Sequence, residues 1–169
     1  RHVEVEIGRR NDIESESPLL STLAQGISKG DRMDFTIQKA VELGITRIAP
    51  LDTERSVVNI KGERLAKKMH HWQGVIVSAC EQCGRNTLPE LLPLQTFDNW
   101  IKNRLNGIGL LLDHRATETV ASLQSSDAFV LLVGPEGGLS ESEIQRARES
   151  GYRGIRLGPR VLRTETAAL

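Results

Sequence analysis

The apolar residues of this chain follow two different periods, which alternate along the sequence. Nearly continuous apolar runs, typical of buried strands, extend over Leu19–Ile27, Thr46–Leu51, Ile108–Leu112, Phe129–Val133 and Gly154–Leu157. Between them, apolar residues recur every three or four positions, as they do on one face of a helix. The alternation predicts an α/β fold with a parallel sheet and helices on both faces, because parallel strands need long crossover connections.

The helical segments carry recognisable end signals. Asp31 is placed to cap a helix that stops at Gly44, and Ser140 with Glu143 has the spacing of a capping box. The predicted helices are Asp31–Leu43, Glu63–Cys83, Thr96–Arg104, Ser140–Gly151 and Thr164–Leu169, and we expect a further helical stretch between Leu112 and Phe129.

Three more segments have an extended pattern, namely His2–Ile7, Arg55–Val58 and Pro89–Leu94. The first alternates polar and apolar residues, as a half-buried strand does. It is followed by the polar, irregular stretch from Gly8 to Pro18, which is typical of a linker.

Length and composition restrict the class of protein. The 169 residues are 38% hydrophobic and 26% charged, as in an ordinary globular domain. No apolar run is long enough to span a membrane and no signal segment opens the chain, so a cytoplasmic location is the default expectation. The 22 basic residues balance the 22 acidic ones, so any surface that binds nucleic acid must be local or come from another domain or subunit.

Cys80 and Cys83 are the two cysteines of the sequence. They form a C-x-x-C motif on a predicted helix, but no second pair of ligands accompanies it, so we expect no metal site. Cys83 falls on the apolar face of that helix, where a buried structural thiol is the ordinary arrangement.

Unusual residues follow three of the predicted strands. They are Leu112-Asp113-His114-Arg115, then Val133-Gly134-Pro135-Glu136-Gly137-Gly138, and then Leu157-Gly158-Pro159-Arg160. Ligands of open parallel sheets bind beyond the carboxyl ends of the strands, and glycine lets backbone approach a ligand closely. Neither Gly-Pro loop has the spacing of a dinucleotide fingerprint or a P-loop, and no G-x-S-x-G elbow is present. The pattern therefore favours a rigid pocket for an adenine ring or a ribose, and disfavours dehydrogenases and NTPases.

Four segments of the chain resemble one family in order and spacing. They are QGISKGDRMDFTIQKAVELG, SACEQCGRNTLPEL, LLVGPEGGLSESEI and GYRGIRLGPRVLRTETAAL, which together extend over roughly residues 19–169. They are similar to the RsmE-type 16S rRNA uridine-N3 methyltransferases of the SPOUT class. This resemblance implies a C-terminal deep trefoil knot that binds S-adenosylmethionine, and a homodimer whose substrate is 16S rRNA in the small ribosomal subunit. The residues that match the cofactor wall of the family are Leu112, His114, Val133, Gly134, Gly138, Leu157, Gly158, Val161 and Leu162.

The same resemblance implies a division of the chain near residue 18. Residues 1–18 would be a remnant strand of an N-terminal PUA-like RNA-binding domain with its linker, and residues 19–169 the SPOUT methyltransferase domain. No C-cap signal follows Ala168, so we expect the last helix to be truncated.

The chemistry of methylating uracil N3 selects candidate catalytic residues. The imide proton must be removed and charge on the flanking carbonyl oxygens must be stabilised. Arg163 and Arg160 could stabilise that charge or bind a phosphate, and Glu165 or Glu136 could accept the proton or orient an arginine. Since N3 lies on the pairing edge, the target base must be unpaired or flipped out. The candidate RNA-binding residues are Lys29, Arg32, Gln82, Arg85 and Asn86.

Two other functions stay open on the sequence alone. A SPOUT relative could methylate a different nucleotide, for instance a ribose 2′-hydroxyl of tRNA or rRNA. The domain could also be an RNA-binding module that has the knot but no turnover.

Overall fold

A computed structural model describes residues 3–6, 8–9, 15–56, 62–103 and 107–169. The strands are β1 Leu20–Gly26, β2 Arg47–Asp52, β3 Glu90–Leu91, β4 Gln95–Thr96, β5 Ile108–Leu112, β6 Glu118–Thr119, β7 Ala128–Val133 and β8 Arg153–Arg156. The helices are α1 Arg32–Glu42, α2 Glu63–Cys83, α3 Phe97–Lys102, α4 Glu141–Glu149 and α5 Thr164–Ala167, with one 3-10 turn at Val120–Ser122.

The strands form one sheet in the order β3-β2-β1-β7-β5-β8-β6, and β4 also pairs with β2. Every described pairing is parallel, with Leu23 opposite Ile48 on one side of β1 and opposite Leu131 on the other. The predicted parallel sheet is confirmed. The carboxyl ends of β5, β7 and β8 consequently meet at one edge, where the Gly-Pro loops begin.

Helices cover both faces of this sheet, as the alternation of periods predicts. On one face α1 and α2 bury a cluster that includes Met33, Ile37 and Trp72. On the other face α3 and α4 pack against the sheet, and the indole N–H of Trp100 donates to Tyr152 Oη at 3.0 Å. Adjacent residues of a strand point to opposite faces, so the nearly continuous apolar runs supply both cores.

Local end signals explain where most helices begin and stop. The predicted capping box is confirmed: Ser140 Oγ accepts the Glu143 N–H, and the Glu143 carboxylate accepts the Ser140 N–H. Gly44, with φ of +90°, ends α1 as expected. Asp31 occupies the N-cap position of α1, but its side chain makes no capping hydrogen bond.

After β8, the chain runs back across the edge of the sheet that is formed by the carboxyl ends of the strands. Residues 157–163 run from this strand back to the ends of β1 and β7, where α5 begins. Ala168 then packs with Leu23, Ala40 and Val133. The predicted knot requires a crossing of this kind, because the last segment must pass the loop that follows β7.

The structure differs from the sequence-based expectations in three places. Residues 3–6 form no strand, and Val3 and Val5 are 77% and 82% exposed; an alternating pattern becomes a strand only beside a pairing partner, and the described residues offer none. Arg55 lies in a turn rather than an extended segment, while 57–58 are outside the described residues. Between β5 and β7 there is one 3-10 turn and the short β6 in place of a longer helix. The division of the chain near residue 18 stays a prediction.

Within the described ranges, no helix is both long enough and apolar enough to cross a bilayer.

Candidate active site

A cleft of about 600 Å³ opens at the carboxyl ends of β5, β7 and β8. The predicted cofactor residues that line it are Leu112, His114, Val133, Gly134, Gly138, Leu157, Val161 and Leu162. The three predicted catalytic residues, Arg160, Arg163 and Glu165, line the same cleft. Gly158 belongs to the third loop and has φ of +73°, but it is not part of the lining. The structure thus brings together almost all the residues that the sequence assigned to cofactor and catalysis.

Close backbone packing shapes the loop after β7. A Cβ atom on Gly134 would lie 2.7 Å from the backbone nitrogen of Leu139, and one on Gly26 would lie 2.6 Å from Cδ of Pro135. Both distances are shorter than real Cβ contacts. Glycine is therefore required where β1 and this loop meet, and the cleft wall on this side is backbone.

A buried hydrogen-bond junction ties this loop to the segment after the crossing. Thr164 Oγ1 donates to the Gly134 carbonyl oxygen at 2.6 Å. The Gln25 side-chain amide donates to Thr164 Oγ1, to the Gly134 carbonyl and to the Gly26 carbonyl. Gln25 is fully buried. One amide thus joins the end of β1, the loop after β7 and the start of α5.

Asp113 anchors the strand end below His114. Its carboxylate accepts the Arg115 N–H at 3.0 Å and forms ion pairs with the guanidinium groups of Arg115 and Arg148, both at 3.1 Å. Burial acts to raise the pKa of Asp113, but these N–H groups and positive charges outweigh it and hold the pKa below its ordinary value. Asp113 therefore stays ionised and keeps this strand end in shape.

Glu136 holds Arg32 at the rim of the cleft. One oxygen, Oε1, accepts both Arg32 Nη1 and the Lys29 N–H, each at 2.8 Å. Partial burial acts to raise the pKa of Glu136, but the hydrogen bonds of the Glu136 and Lys29 N–H groups and of Arg32 outweigh it, so its pKa is lowered. Arg32, which we predicted as an RNA contact, is itself part of the cleft lining.

The remaining charged residues of the cleft have few partners. The nearest cation to the Glu165 carboxylate is Arg32, with Nε at 3.9 Å from Oε1. Oε2 of Glu165 is buried and, within the described part of the chain, accepts no hydrogen bond. Arg160 and Arg163 are exposed and form no ion pair with any residue that the structure describes. Arg156 also lines the cleft, is exposed and has no ion pair among the described residues, so the cleft carries three uncompensated arginines beside an under-satisfied carboxylate.

The predicted RNA contacts near the end of α2 do not reach this cleft. Arg85 donates to the carbonyl oxygens of Val41 and Ile45 and pairs with Glu16 at 2.5 Å. Ile45 precedes β2, so this cluster lies at the amino end of the sheet, opposite the cleft. The Arg85 side chain is 6% exposed, which speaks against RNA contact and gives it a structural role instead. The roles of Gln82 and Asn86, both exposed, stay predictions.

Several residues of the site had no assigned role on the sequence. Gln25 is a polar residue inside an apolar run, and Asp113 directly follows such a run. Their positions in the sequence could therefore have indicated that both have a role at the site. Arg55 gave none, although its guanidinium donates to the Gly137 carbonyl at 2.9 Å. Glu143, predicted only as part of a cap, also accepts the Glu54 N–H and thereby holds this turn against α4.

The two cysteines are arranged differently from the prediction. Cys80 is buried and Cys83 is only partly so. Cys80 stands one turn after Ile76 on the packed face, whereas Cys83 is the last residue of α2. Burial raises the pKa of the Cys80 thiol. Over the described ranges no group of three or more His, Cys, Asp or Glu residues is arranged to hold a metal ion.

The protein has a parallel sheet with a cleft at its strand ends, and the cleft has a glycine backbone wall and several arginines. The last segment of the chain crosses back over these strand ends. Together these features define the class of RNA methyltransferase domains. The sequence profile of the RNA methyltransferase domain family matches residues 15–169.

Individual relatives narrow the class. The chain is 40% identical to the ribosomal RNA small subunit methyltransferase E of Buchnera aphidicola, over 99% of this chain and 69% of that protein. A putative methyltransferase from Legionella pneumophila, solved with bound S-adenosylmethionine, superposes with a TM-score of 0.90 at 45% identity, over 94% of this chain and 66% of that one. The ribosomal RNA small subunit methyltransferase E of Neisseria gonorrhoeae, bound to S-adenosylmethionine, gives a TM-score of 0.87 at 43% identity, over 94% and 65%.

The chain belongs to the ribosomal RNA small subunit methyltransferase E family of RNA methyltransferase domains. The family and the α/β fold class predicted from the sequence, a parallel sheet with helices on both faces, are confirmed, and the trefoil knot stays a prediction. The chain spans about two thirds of the length of these relatives.

Proposed function

We propose that this domain transfers the methyl group of S-adenosylmethionine to N3 of a specific uridine in 16S rRNA of the small ribosomal subunit. One observation carries the proposal: the backbone-walled cleft of about 600 Å³ has the unpaired Arg160 and Arg163 and the under-satisfied Glu165 on its lining. The family supplies the substrate class, since its members are named for the RNA of the small subunit.

The cleft fits the cofactor that the two solved relatives bind. A wall of backbone, where a Cβ on Gly134 would collide with the loop itself, lets an adenine or ribose lie directly against N–H and carbonyl groups. Leu112, Val133, Leu157, Val161 and Leu162 would hold the apolar parts of the cofactor. When bound, S-adenosylmethionine supplies an electrophilic methyl group.

The chain's own residues then act on the nucleotide. Arg160 and Arg163 are free to bind a phosphate or to stabilise negative charge on a uracil carbonyl oxygen. Such donors are strongest where water is excluded. A base presented to them must have left its pair, because N3 is inside a Watson–Crick duplex.

Binding to the ribosome must draw on more than this cleft. With zero net charge, the chain has no overall attraction for RNA, so we assign local contacts to Lys29, Arg32, Gln82 and Asn86 and expect a cytoplasmic homodimer to contribute surfaces from both subunits.

Nucleoside mass spectrometry tests the function. Small-subunit rRNA from a strain that lacks the gene should contain no 3-methyluridine at the modified position, and the wild-type gene should restore it. Persistence of 3-methyluridine in the deletion strain contradicts the proposal. Loss of a 2′-O-methylated nucleoside instead would point to ribose methylation.

A further inference from the structure

At the rim of the cleft, a donor and an acceptor stand side by side without being bonded to each other. Arg32 Nε lies 3.9 Å from Glu165 Oε1, which is too far for a hydrogen bond. Both side chains line the cleft. A planar ligand edge with an acceptor next to a donor could be bound by the two together.

Arg32 is held ready for such a ligand. Its Nη1 is bound to Glu136 Oε1, and that oxygen is itself fixed by the Lys29 N–H. A guanidinium has five N–H groups in a fixed plane, so this single anchor sets its orientation and leaves other N–H groups free. The Arg32 side chain is 46% exposed, so a ligand can reach it.

Glu165 lacks the partners that a carboxylate normally has. Its side chain is 15% exposed, and Oε2 is enclosed without a hydrogen-bond donor among the described residues. A buried acceptor left without a donor in this way is unfavourable. Oε2 itself is enclosed, so a ligand N–H would be accepted by Oε1, the oxygen that faces Arg32.

The other candidate base of the cleft is occupied. Glu136 Oε1 accepts two donors, and the pKa of Glu136 is lowered, so it is poorly suited to take up a proton. Its contacts make it a support for Arg32. The two glutamates therefore have different tasks.

Resting on the proposed function, we infer that Arg32 and Glu165 together recognise the imide edge of the target uracil. Glu165 accepts the N3 proton, Arg32 donates to an adjacent carbonyl oxygen, and Glu136 is a positioning residue for Arg32. As the N3–H bond breaks, its electron pair forms the N–CH3 bond, the S–CH3 electron pair remains on sulfur, and the proton ends on the Glu165 carboxylate and passes to solvent.

This arrangement selects uracil over cytosine. The uracil edge presents an acceptor, the N3–H donor and a second acceptor, whereas cytosine presents an amino donor next to an N3 lone pair. In either orientation cytosine would place its N3 lone pair against the carboxylate, and where Arg32 donates to O4 of uracil, cytosine would place its amino group against Arg32. A site built to hydrogen-bond one edge rejects the other by about 10⁴-fold, so the substrate class of this cleft is an unpaired uridine.

Steady-state kinetics on full-length protein tests the inference, with small ribosomal subunits from the deletion strain as substrate. Glu165→Gln should lower kcat at least about 100-fold while S-adenosylmethionine affinity, measured by calorimetry, stays within a few-fold. Its residual rate should climb steadily with pH, since solvent must then remove the imide proton. Glu149→Gln, an exposed glutamate on α4, is the matched control and should behave like wild type.

A double-mutant cycle tests the positioning role. Glu136→Gln should lower kcat about tenfold in the wild-type background and have no further effect in the Arg32→Met background. An equal effect in both backgrounds would remove Glu136 from this role. Subunits that carry cytidine at the modified position should not be methylated at a measurable rate, and efficient methylation of them would overturn the edge recognition.

Two failures are distinguishable. If wild-type protein makes 3-methyluridine and Glu165→Gln does so at the same rate and pH dependence, the inference is wrong and the proposed function stands. If wild-type protein makes no 3-methyluridine in small subunits, the proposed function fails, and the inference fails with it.

Discussion

Some residues of this site act by leaving no room for a side chain or by binding neighbouring side chains. Gly134 excludes a side chain from a junction that has room only for backbone, and Asp113 holds two arginines at a strand end. Neither needs to touch a reacting atom, so we expect their effects on binding and stability to differ from those of Arg163 or Glu165.

Gly134→Ala should weaken S-adenosylmethionine binding at least about tenfold, or about 1.4 kcal/mol. The new Cβ would lie 2.7 Å from Leu139 N and 2.9 Å from the Gly138 carbonyl carbon, so the loop must move. Calorimetric titration measures the change. Gly74→Ala is the control: its Cβ would meet nothing within 4 Å in the middle of α2, and it should raise stability by about 0.5 to 1 kcal/mol with unchanged affinity.

Asp113→Asn should make stability less dependent on pH. The pKa of Asp113 is lowered in the folded protein, so the ionised carboxylate stabilises the fold above its unfolded pKa of about 3.9, and this contribution is lost as pH falls through the folded pKa. Urea unfolding should show the variant less stable by about 1 to 3 kcal/mol at pH 7 and closer to wild type at pH 3. A constant difference at both pH values would contradict the assignment.

At the scale of elements, the partly buried ion pair of Arg85 and Glu16 fastens the chain segment before β1 to the ends of α1 and α2. Arg85 also satisfies two backbone carbonyls at the end of α1. Such a residue belongs to packing, although its charge suggests a surface contact.

Arg85→Met should destabilise the domain by about 1 to 3 kcal/mol, because the partly buried Glu16 carboxylate loses its guanidinium and the Val41 and Ile45 carbonyls each lose a hydrogen bond. Arg47→Met removes the pair with Glu90, in which both side chains are about half exposed, and should cost less than about 1 kcal/mol. Chemical denaturation compares the two. Equal, small losses in both variants would show that the Arg85 cluster is not structural.

The elements themselves were largely predictable. Apolar runs located β1, β2, β5, β7 and β8, because a strand buried on both faces must be continuously apolar. The short strand β3 lies within the predicted extended segment Pro89–Leu94. The short strands β4 and β6 were missed, since two-residue pairings depend on the neighbouring strand rather than on their own pattern.

The sequence predicted which residues line the cleft, but not which of them form ion pairs or hydrogen bonds with one another. Two Gly-Pro loops at the carboxyl ends of strands in one parallel sheet indicated a pocket there. The pairing of Arg32 with Glu136, separated by 104 residues, depends on the tertiary fold, and so does the burial of Arg85. The sequence gives the charge of a residue, but only the structure gives its ion-pair partner.

At the scale of the whole molecule, the crossing after β8 joins the two ends of the domain. Gln25 lies in the first strand and Thr164 beyond the last, and both bind the Gly134 carbonyl. The shape of the cleft is therefore a property of the complete fold.

Thr164→Val should lower both stability and cofactor affinity. Valine matches threonine in shape but leaves the buried Gly134 carbonyl and the Gln25 amide with one partner fewer, at a cost of about 1 to 3 kcal/mol. Thr166→Val, on the exposed side of the same short helix, should change stability by no more than about 0.5 kcal/mol. Thermal unfolding with and without S-adenosylmethionine measures both effects. Equal changes in stability and affinity in the two variants would show that the Thr164 hydrogen bonds do not hold the loop after β7.

The junction of Gln25, Gly134 and Thr164 also determines when the cleft can form during translation. A nascent chain that has emerged only as far as Arg156 already contains every strand and helices α1 to α4, yet it has no hydroxyl to close the wall at Gly134. Translation must therefore carry residue 164 clear of the ribosome before the domain gains its cleft.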